Sequence, residues 1–204
     1  FTAPPVILRV DDSVIGTLGN FSASTGKAKS KKTFNVCAIV AAAMMGGTVL
    51  NYSASLPPER RRILYVDTEQ SRFHCKRVLC RILRLAGLPT DTHPPLLEFL
   101  CLRGYATKER LRKIEEAIYD LDDLGLVVID GIRDLAHDIN SPGEATDLIT
   151  KLMQWTDERR IHIHTVLHLN KGDDNTRGHL GTELNNKAET VLQITKDDFE
   201  RDIN

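Results

Sequence analysis

A chain of 204 residues suits one α/β domain better than two, and 41% hydrophobic with 27% charged residues is ordinary globular usage with enough apolar material for a core. The 27 Lys and Arg against 28 Asp and Glu leave a net charge of −1 at pH 7, which excludes a basic coat for wrapping duplex DNA and leaves room for local basic clusters. The start at Phe1 points to a single domain, 1–204, cut from a longer chain. Cys37, Cys75, Cys80 and Cys101 form no C-x-x-C pair, so neither a zinc ribbon nor a redox motif is offered. Three of them fall in apolar helical patterns, as reduced core residues do, and a reducing cytoplasmic compartment is the expectation. The apolar run 37–47 is too short for a bilayer, which needs about 20 residues, so no membrane partner is expected.

In chain order, residues 21–25 read as a strand entering a Gly/Lys/Ser loop, followed by an apolar helix over 32–45. Residues 62–67 form a compact β-rich run, and Arg60-Arg61-Arg62 at its start reads as a solvated charge run. The spacing of Phe73, Val78, Leu79, Ile82, Leu83 and Ala86 predicts a helix over 71–86, stopped by Gly87 and Pro89. Its cations Lys76, Arg77, Arg81 and Arg84 are expected at the surface, as an intersubunit face at most. A strand over 96–102, an amphipathic helix over 108–121 and an uninterrupted apolar strand over 126–130 follow. Helix 145–158, strand 161–169 and strand 190–195 complete the pattern. Apolar strands alternating with helices mean a mostly parallel sheet covered on both faces. Ligands bind such sheets at the carboxyl ends of the strands, so the chemistry is expected just beyond residues 25, 67, 130 and 169.

Four motifs fall there. Gly26-Lys27-Ala28-Lys29-Ser30-Lys31-Lys32-Thr33 follows the phosphate-loop pattern G-x-x-x-x-G-K-[ST], in which backbone amides and a helix N-terminus cradle phosphates. With Phe34 it is the expected nucleotide-binding segment. Lys32 would reach the β- and γ-phosphates of ATP and Thr33 would ligate Mg2+, while Lys31 stands where the pattern has its second glycine. Leu126-Val127-Val128-Ile129-Asp130 has the form of a Walker B strand, and its terminal carboxylate is the second expected magnesium ligand.

The third motif, Ile63-Leu64-Tyr65-Val66-Asp67-Thr68-Glu69-Gln70, is an apolar strand ending in D-x-E directly after the phosphate-loop helix. The fourth is Thr165-Val166-Leu167-His168-Leu169-Asn170-Lys171-Gly172, followed by Arg177-Gly178-His179-Leu180-Gly181. Together the four resemble the RecA-like P-loop ATPases, above all the hexameric and plasmid replicative helicase (RepA-like) branch, over roughly residues 16–195. The resemblance implies a RecA-like P-loop NTPase fold, with Glu69 activating the attacking water, Asp67 in a supporting structural role and His168 sensing the γ-phosphate. It further implies a homo-oligomer, hexamer or filament, with its sites between protomers, and a DNA helicase acting on single-stranded DNA in replication or mobilisation of a plasmid-like element. Lys171, Arg177 and His179 are candidate trans or DNA contacts, and 170–180 is expected to be a mobile loop.

His162, His164 and His168 alternate along one strand, but 162 and 168 lie about 20 Å apart at 3.3 Å per residue, too far for one zinc ion. Edge or packing residues are the better reading of His162 and His164. Two rivals to the helicase stay open: a P-loop kinase for a small metabolite, which lacks a clear Arg-rich lid here, and a nucleotide-dependent loader or regulator with little turnover.

Overall fold

The computed structural model describes residues 1–27, 30–169 and 178–196. Six strands build the main sheet: β3 (Phe21–Lys27), β6 (Arg62–Asp67), β7 (Leu97–Cys101), β8 (Leu124–Asp130), β9 (His162–Leu169) and β10 (Val191–Gln193). Their order is β10-β3-β9-β8-β6-β7, and every neighbouring pair is parallel. The main helices are α1 (Lys32–Met45), α2 (Arg72–Leu85), α3 (Thr107–Asp120), α4 (Pro142–Arg159) and α5 (Gly178–Lys187). The expected α/β architecture, with helices on both faces of a parallel sheet, is the one present.

The continuous apolar runs explain it, because successive side chains of a strand point to opposite faces. Ile63, Tyr65, Leu126, Val128 and Val166 pack with α1 and α2, while Leu64, Val66, Val127, Ile129, Ile163 and Leu167 pack with α3, α4 and α5. One period-2 pattern thus feeds two cores.

A second sheet was not foreseen. β1 (Val6–Val10), β2 (Ser13–Thr17), β4 (Thr48–Val49) and β5 (Tyr52–Ala54) form an antiparallel sheet of order β2-β1-β5-β4. Its Ile7, Leu8, Ile15, Val49, Tyr52 and Ala54 join the α1 core. Burial on both flanks is why α1 can be apolar nearly all round, with Val36 to Ala43 all buried. The clasp to the main sheet is Glu189, whose carboxylate accepts from the Thr17 amide at 3.0 Å and hydroxyl at 2.9 Å.

Two local expectations change. α4 begins at Pro142, earlier than the periodicity suggested, because the Ser141 side chain accepts the Glu144 N–H and proline occupies the first turn. The basic run is also not merely solvated. Arg62 pairs with Asp123 at 2.7 Å and Glu98 at 3.1 Å, and Arg60 donates to the Arg159 carbonyl at 2.5 Å. These arginines tie the amino-terminal edge of β6 to its surroundings.

Candidate functional site

The carboxyl ends of β3, β9, β8 and β6 lie side by side, next to a cavity of about 430 Å³ lined by Ser30, Lys31, Lys32, Thr33, Phe34, Arg81 and His168. β3 delivers the chain to it at Gly26, where a Cβ would sit 2.4 Å from the Ile194 carbonyl oxygen and 2.7 Å from Ser30 Oγ. Only glycine fits. At the other end Lys31 adopts φ 62°, ψ 27°, the left-handed conformation that glycine takes at little cost. The backbone therefore keeps the turn where the pattern's second glycine is missing, at a cost of roughly 1–2 kcal/mol for a side chain there.

α1 starts at once, with no acid in its first turn and no side-chain cap from Lys31, and the N–H groups of a helix's first turn have no partner inside the helix. Lys32 is 3% exposed and its ammonium turns into the loop, donating to the Gly26 carbonyl at 2.8 Å, to Ser30 Oγ at 3.0 Å and to the Lys27 carbonyl. Burial pushes its pKa down, and the carboxylates of Asp130 and Glu69 oppose that shift.

Opposite the loop stand the acids. Asp130 Oδ2 accepts from the Tyr65 hydroxyl at 2.9 Å and the Thr33 hydroxyl at 3.1 Å. His168 Nε2 lies 3.4 Å from Glu69 Oε2 and 3.6 Å from Asp130 Oδ1, joining the two carboxylates across the site. The Glu69 side chain is 40% exposed and reaches to His168, which lines the cavity. Its pKa is raised first by burial and further by Asp130, Asp134 and Asp67, with His168 pulling the other way.

The turn that aims Glu69 is built by its neighbours. Asp67 is buried, and its Oδ1 accepts the Glu69 and Gln70 N–H groups at 2.9 and 2.8 Å while Oδ2 accepts Gln70 Nε2 at 2.7 Å. Thr68 Oγ1 lies 2.8 Å from both the Gly131 carbonyl and Asp134 Oδ2, linking the ends of β6 and β8. Gly131 has φ 101°, and a Cβ there would stand 2.1 Å from that hydroxyl.

The histidines divide. His162 and His164 lie on β9, which is interior to the sheet and not an edge, and both are buried. His162 Nδ1 donates to the Thr17 carbonyl at 2.8 Å, which fixes its tautomer because a carbonyl only accepts. Nε2 must then accept from Ser22, whose oxygen accepts His164 Nδ1–H, and His164 Nε2 accepts from Ser24; these contacts are 2.7, 2.7 and 2.8 Å. All four ring nitrogens are used, so packing is their role. Burial pushes His162 down to about 4 and His164 down to about 3.

Of the expected site residues, Gly26, Lys27, Ser30, Lys31, Lys32, Thr33, Phe34, Glu69, Asp130 and His168 meet here. Ala28, Lys29, Lys171 and Arg177 lie outside the described residues. The expected mobile loop is corrected at its end: Gly178–Lys187 is helical, with His179 exposed in the first turn and Leu180 packed in the core. Four residues were missed: Tyr65, Thr68, Asp134 and Arg81. Tyr65 read as an apolar strand residue, and nothing in one sequence marks which of the α2 cations turns inward. Among the described residues no helix is long and apolar enough to cross a membrane.

No curated protein matches the chain. A family model described as an AAA domain matches residues 6–174, which takes in the small sheet, the phosphate loop and both acid-bearing strand ends. With that coverage and this arrangement of Gly26, Lys32, Thr33 and Asp130, the chain belongs to the AAA domain family of nucleotide-binding P-loop ATPases.

Proposed function

We propose that the chain binds ATP with Mg2+ at residues 26–34 and hydrolyses it by direct attack of water on the γ-phosphoryl group. The observation that carries this reading is the meeting of five residues from four separate elements: Lys32, Thr33 and His168 line one cavity, and Asp130 and Glu69 contact Thr33 and His168 beside it. A nucleotide's phosphates would take the place of the loop oxygens that now hold the Lys32 ammonium, and the N–H groups at the start of α1 would share the charge. The Thr33 hydroxyl and Asp130 carboxylate, 3.1 Å apart, are hard oxygen donors suited to Mg2+, which would offset phosphate charge when bound. Glu69 is the base that takes the proton of the attacking water, and its raised pKa favours that transfer. His168 orients the Glu69 carboxylate and offers a donor to the γ-phosphate.

The output proposed is work on single-stranded DNA by a helicase of the plasmid replicative (RepA-like) branch, in a cytoplasmic homo-oligomer, hexamer or filament. The D-x-E strand end and the H-x-x-K segment support it. Lys171, Arg177 and His179 then contact DNA or a neighbouring protomer's site. Lys171→Ala with Arg177→Ala separates these roles: weaker DNA binding with a flatter salt dependence supports the first, and depressed ATPase at saturating ATP with unchanged DNA affinity supports the second. No change in either quantity removes both roles.

One observation favours a second reading. The strained Lys31 in the phosphate loop suits a loader or regulator that binds ATP with little turnover. ATPase rates with and without single-stranded DNA decide between them: DNA-stimulated multiple turnover supports the helicase, and tight binding without turnover supports the switch. Phosphate transfer to a small metabolite would instead support the kinase alternative.

A further inference from the structure

Five cations lie along α2, and four of them, Arg72, Lys76, Arg77 and Arg84, are exposed. Arg81 is not. It falls three residues after Val78 and beside Ile82, both buried against α1, and that places it on the rim of the packed face. From there its guanidinium crosses to α1, lies 5.9 Å from the centroid of the Phe34 ring and stands near enough to the Cys37 thiol for its charge to oppose the effect of burial there. Phe34 and Cys37 are successive turns of one face of α1, and Thr33 is the residue before Phe34. The guanidinium is therefore stacked near Phe34 beside the start of α1, and it lines the same cavity as Ser30, Lys32 and Thr33.

Its other surroundings are unusual for a surface arginine. The structure gives it an aromatic face and a thiol, and no carboxylate pairs with it among the described ion pairs. Burial has raised the Cys37 thiol to about 12, so Cys37 is a neutral anchor and leaves the arginine's charge unspent. A permanently charged planar donor, pre-positioned on a cavity wall without an acid, is a receptor for an anion.

We propose that Arg81 binds the polyphosphate chain of the nucleotide within its own protomer, as a second cation beside Lys32, with Phe34 and Cys37 as its positioning residues. This rests on the proposed ATP site. It adds to that site a contact from α2, so that nucleotide binding fixes α2 against α1 and through it the 67–71 turn that carries Glu69.

Inorganic tripolyphosphate, which has the phosphates and no base, tests the assignment alongside ATP by competition with a fluorescent ATP analogue. Arg81→Gln should weaken tripolyphosphate and ATP alike by about 10- to 100-fold, the loss of charge-assisted hydrogen bonds to phosphate. Arg81→Lys should recover part of that loss, because it restores the charge without the fork. Equal tripolyphosphate affinity in wild type and Arg81→Gln overturns the assignment, whether or not ATP affinity changes, since an effect on ATP alone would place Arg81 at the base. Thermal unfolding of both variants controls for folding, and loss of tripolyphosphate binding in Arg81→Gln with full recovery by Arg81→Lys still supports a phosphate contact. Wild-type protein that binds neither ligand would remove the ATP site itself, a separate failure.

Discussion

β3 and β9 run side by side, and the same two strands hold polar residues in two very different ways. In their middle, Ser22, Ser24, His162 and His164 are fully buried and form a hydrogen-bonded chain in which every donor meets one acceptor. Beyond their carboxyl ends, Lys32 at the start of α1 and His168 of β9 line a cavity, with the His168 side chain 29% exposed between two carboxylates. Both regions look equally chemical in sequence. Space separates them: a buried polar network packed with no room beside it specifies packing, whereas charged groups gathered around an open cavity can exchange their partners for a ligand.

The sharpest break of that comparison lies in the cavity. Glu69→Gln should keep ATP binding and lose hydrolysis by about 10²–10⁴-fold, the range for a lost general base, and Lys32→Ala should abolish binding or turnover. Steady-state ATPase and equilibrium nucleotide binding check both. Full activity in Glu69→Gln would pass the water-activating role to another acid.

In the strand middle the expected loss is of stability. His164→Leu removes the acceptor of Ser24 and the donor to Ser22 inside the core, which should cost about 2–4 kcal/mol by chemical denaturation. The folded fraction should still bind ATP with wild-type affinity. A change in affinity at full folding would show that the network reaches the site.

The pH dependence of stability follows from the same histidines. Their folded pKa values, about 4 and about 3, lie below the ordinary 6.5, so the unfolded chain binds more protons between those limits. Their contribution is complete above about pH 6.5 and is lost as pH falls toward 4 and then 3, on the order of 3 kcal/mol from His162 alone at 1.36 kcal/mol per unit. Glu69, with its pKa raised, works in the opposite sense, because its folded form holds its proton at higher pH than the unfolded one. Denaturation midpoints across pH 3–7 should therefore fall more steeply in Glu69→Gln than in wild type, and a flat profile would contradict the buried neutral histidines.

The smallest effect belongs to Lys31→Gly. Relief of the left-handed backbone, less the entropy that glycine loses on folding, should stabilise the chain by about 0.5–1 kcal/mol. If Lys31 also restrains turnover, the same variant should raise ATPase, and stabilisation with an unchanged rate would limit its role to the backbone.

Much of this was legible in one dimension. Period-2 apolar runs and helical spacing predicted all six strands and the first four helices of the main layer, because a parallel sheet buried on both faces needs uninterrupted apolar strands. Strand-end logic then placed Lys32, Thr33, Glu69, Asp130 and His168 at one edge. The small antiparallel sheet was not legible, since strands of two to five residues carry too little pattern and owe their stability to packing on α1.

By itself the sequence determined the layer order, the motifs and which strand ends could carry chemistry, because local spacing and chain direction are enough for those. Only the tertiary structure decided that Lys31 takes the glycine turn, that His162 and His164 spend their nitrogens on serines and a carbonyl, and that Arg81 alone among the α2 cations faces the cavity. Each of these depends on what a distant segment brings within about 3 to 6 Å, and no spacing along the chain encodes that distance.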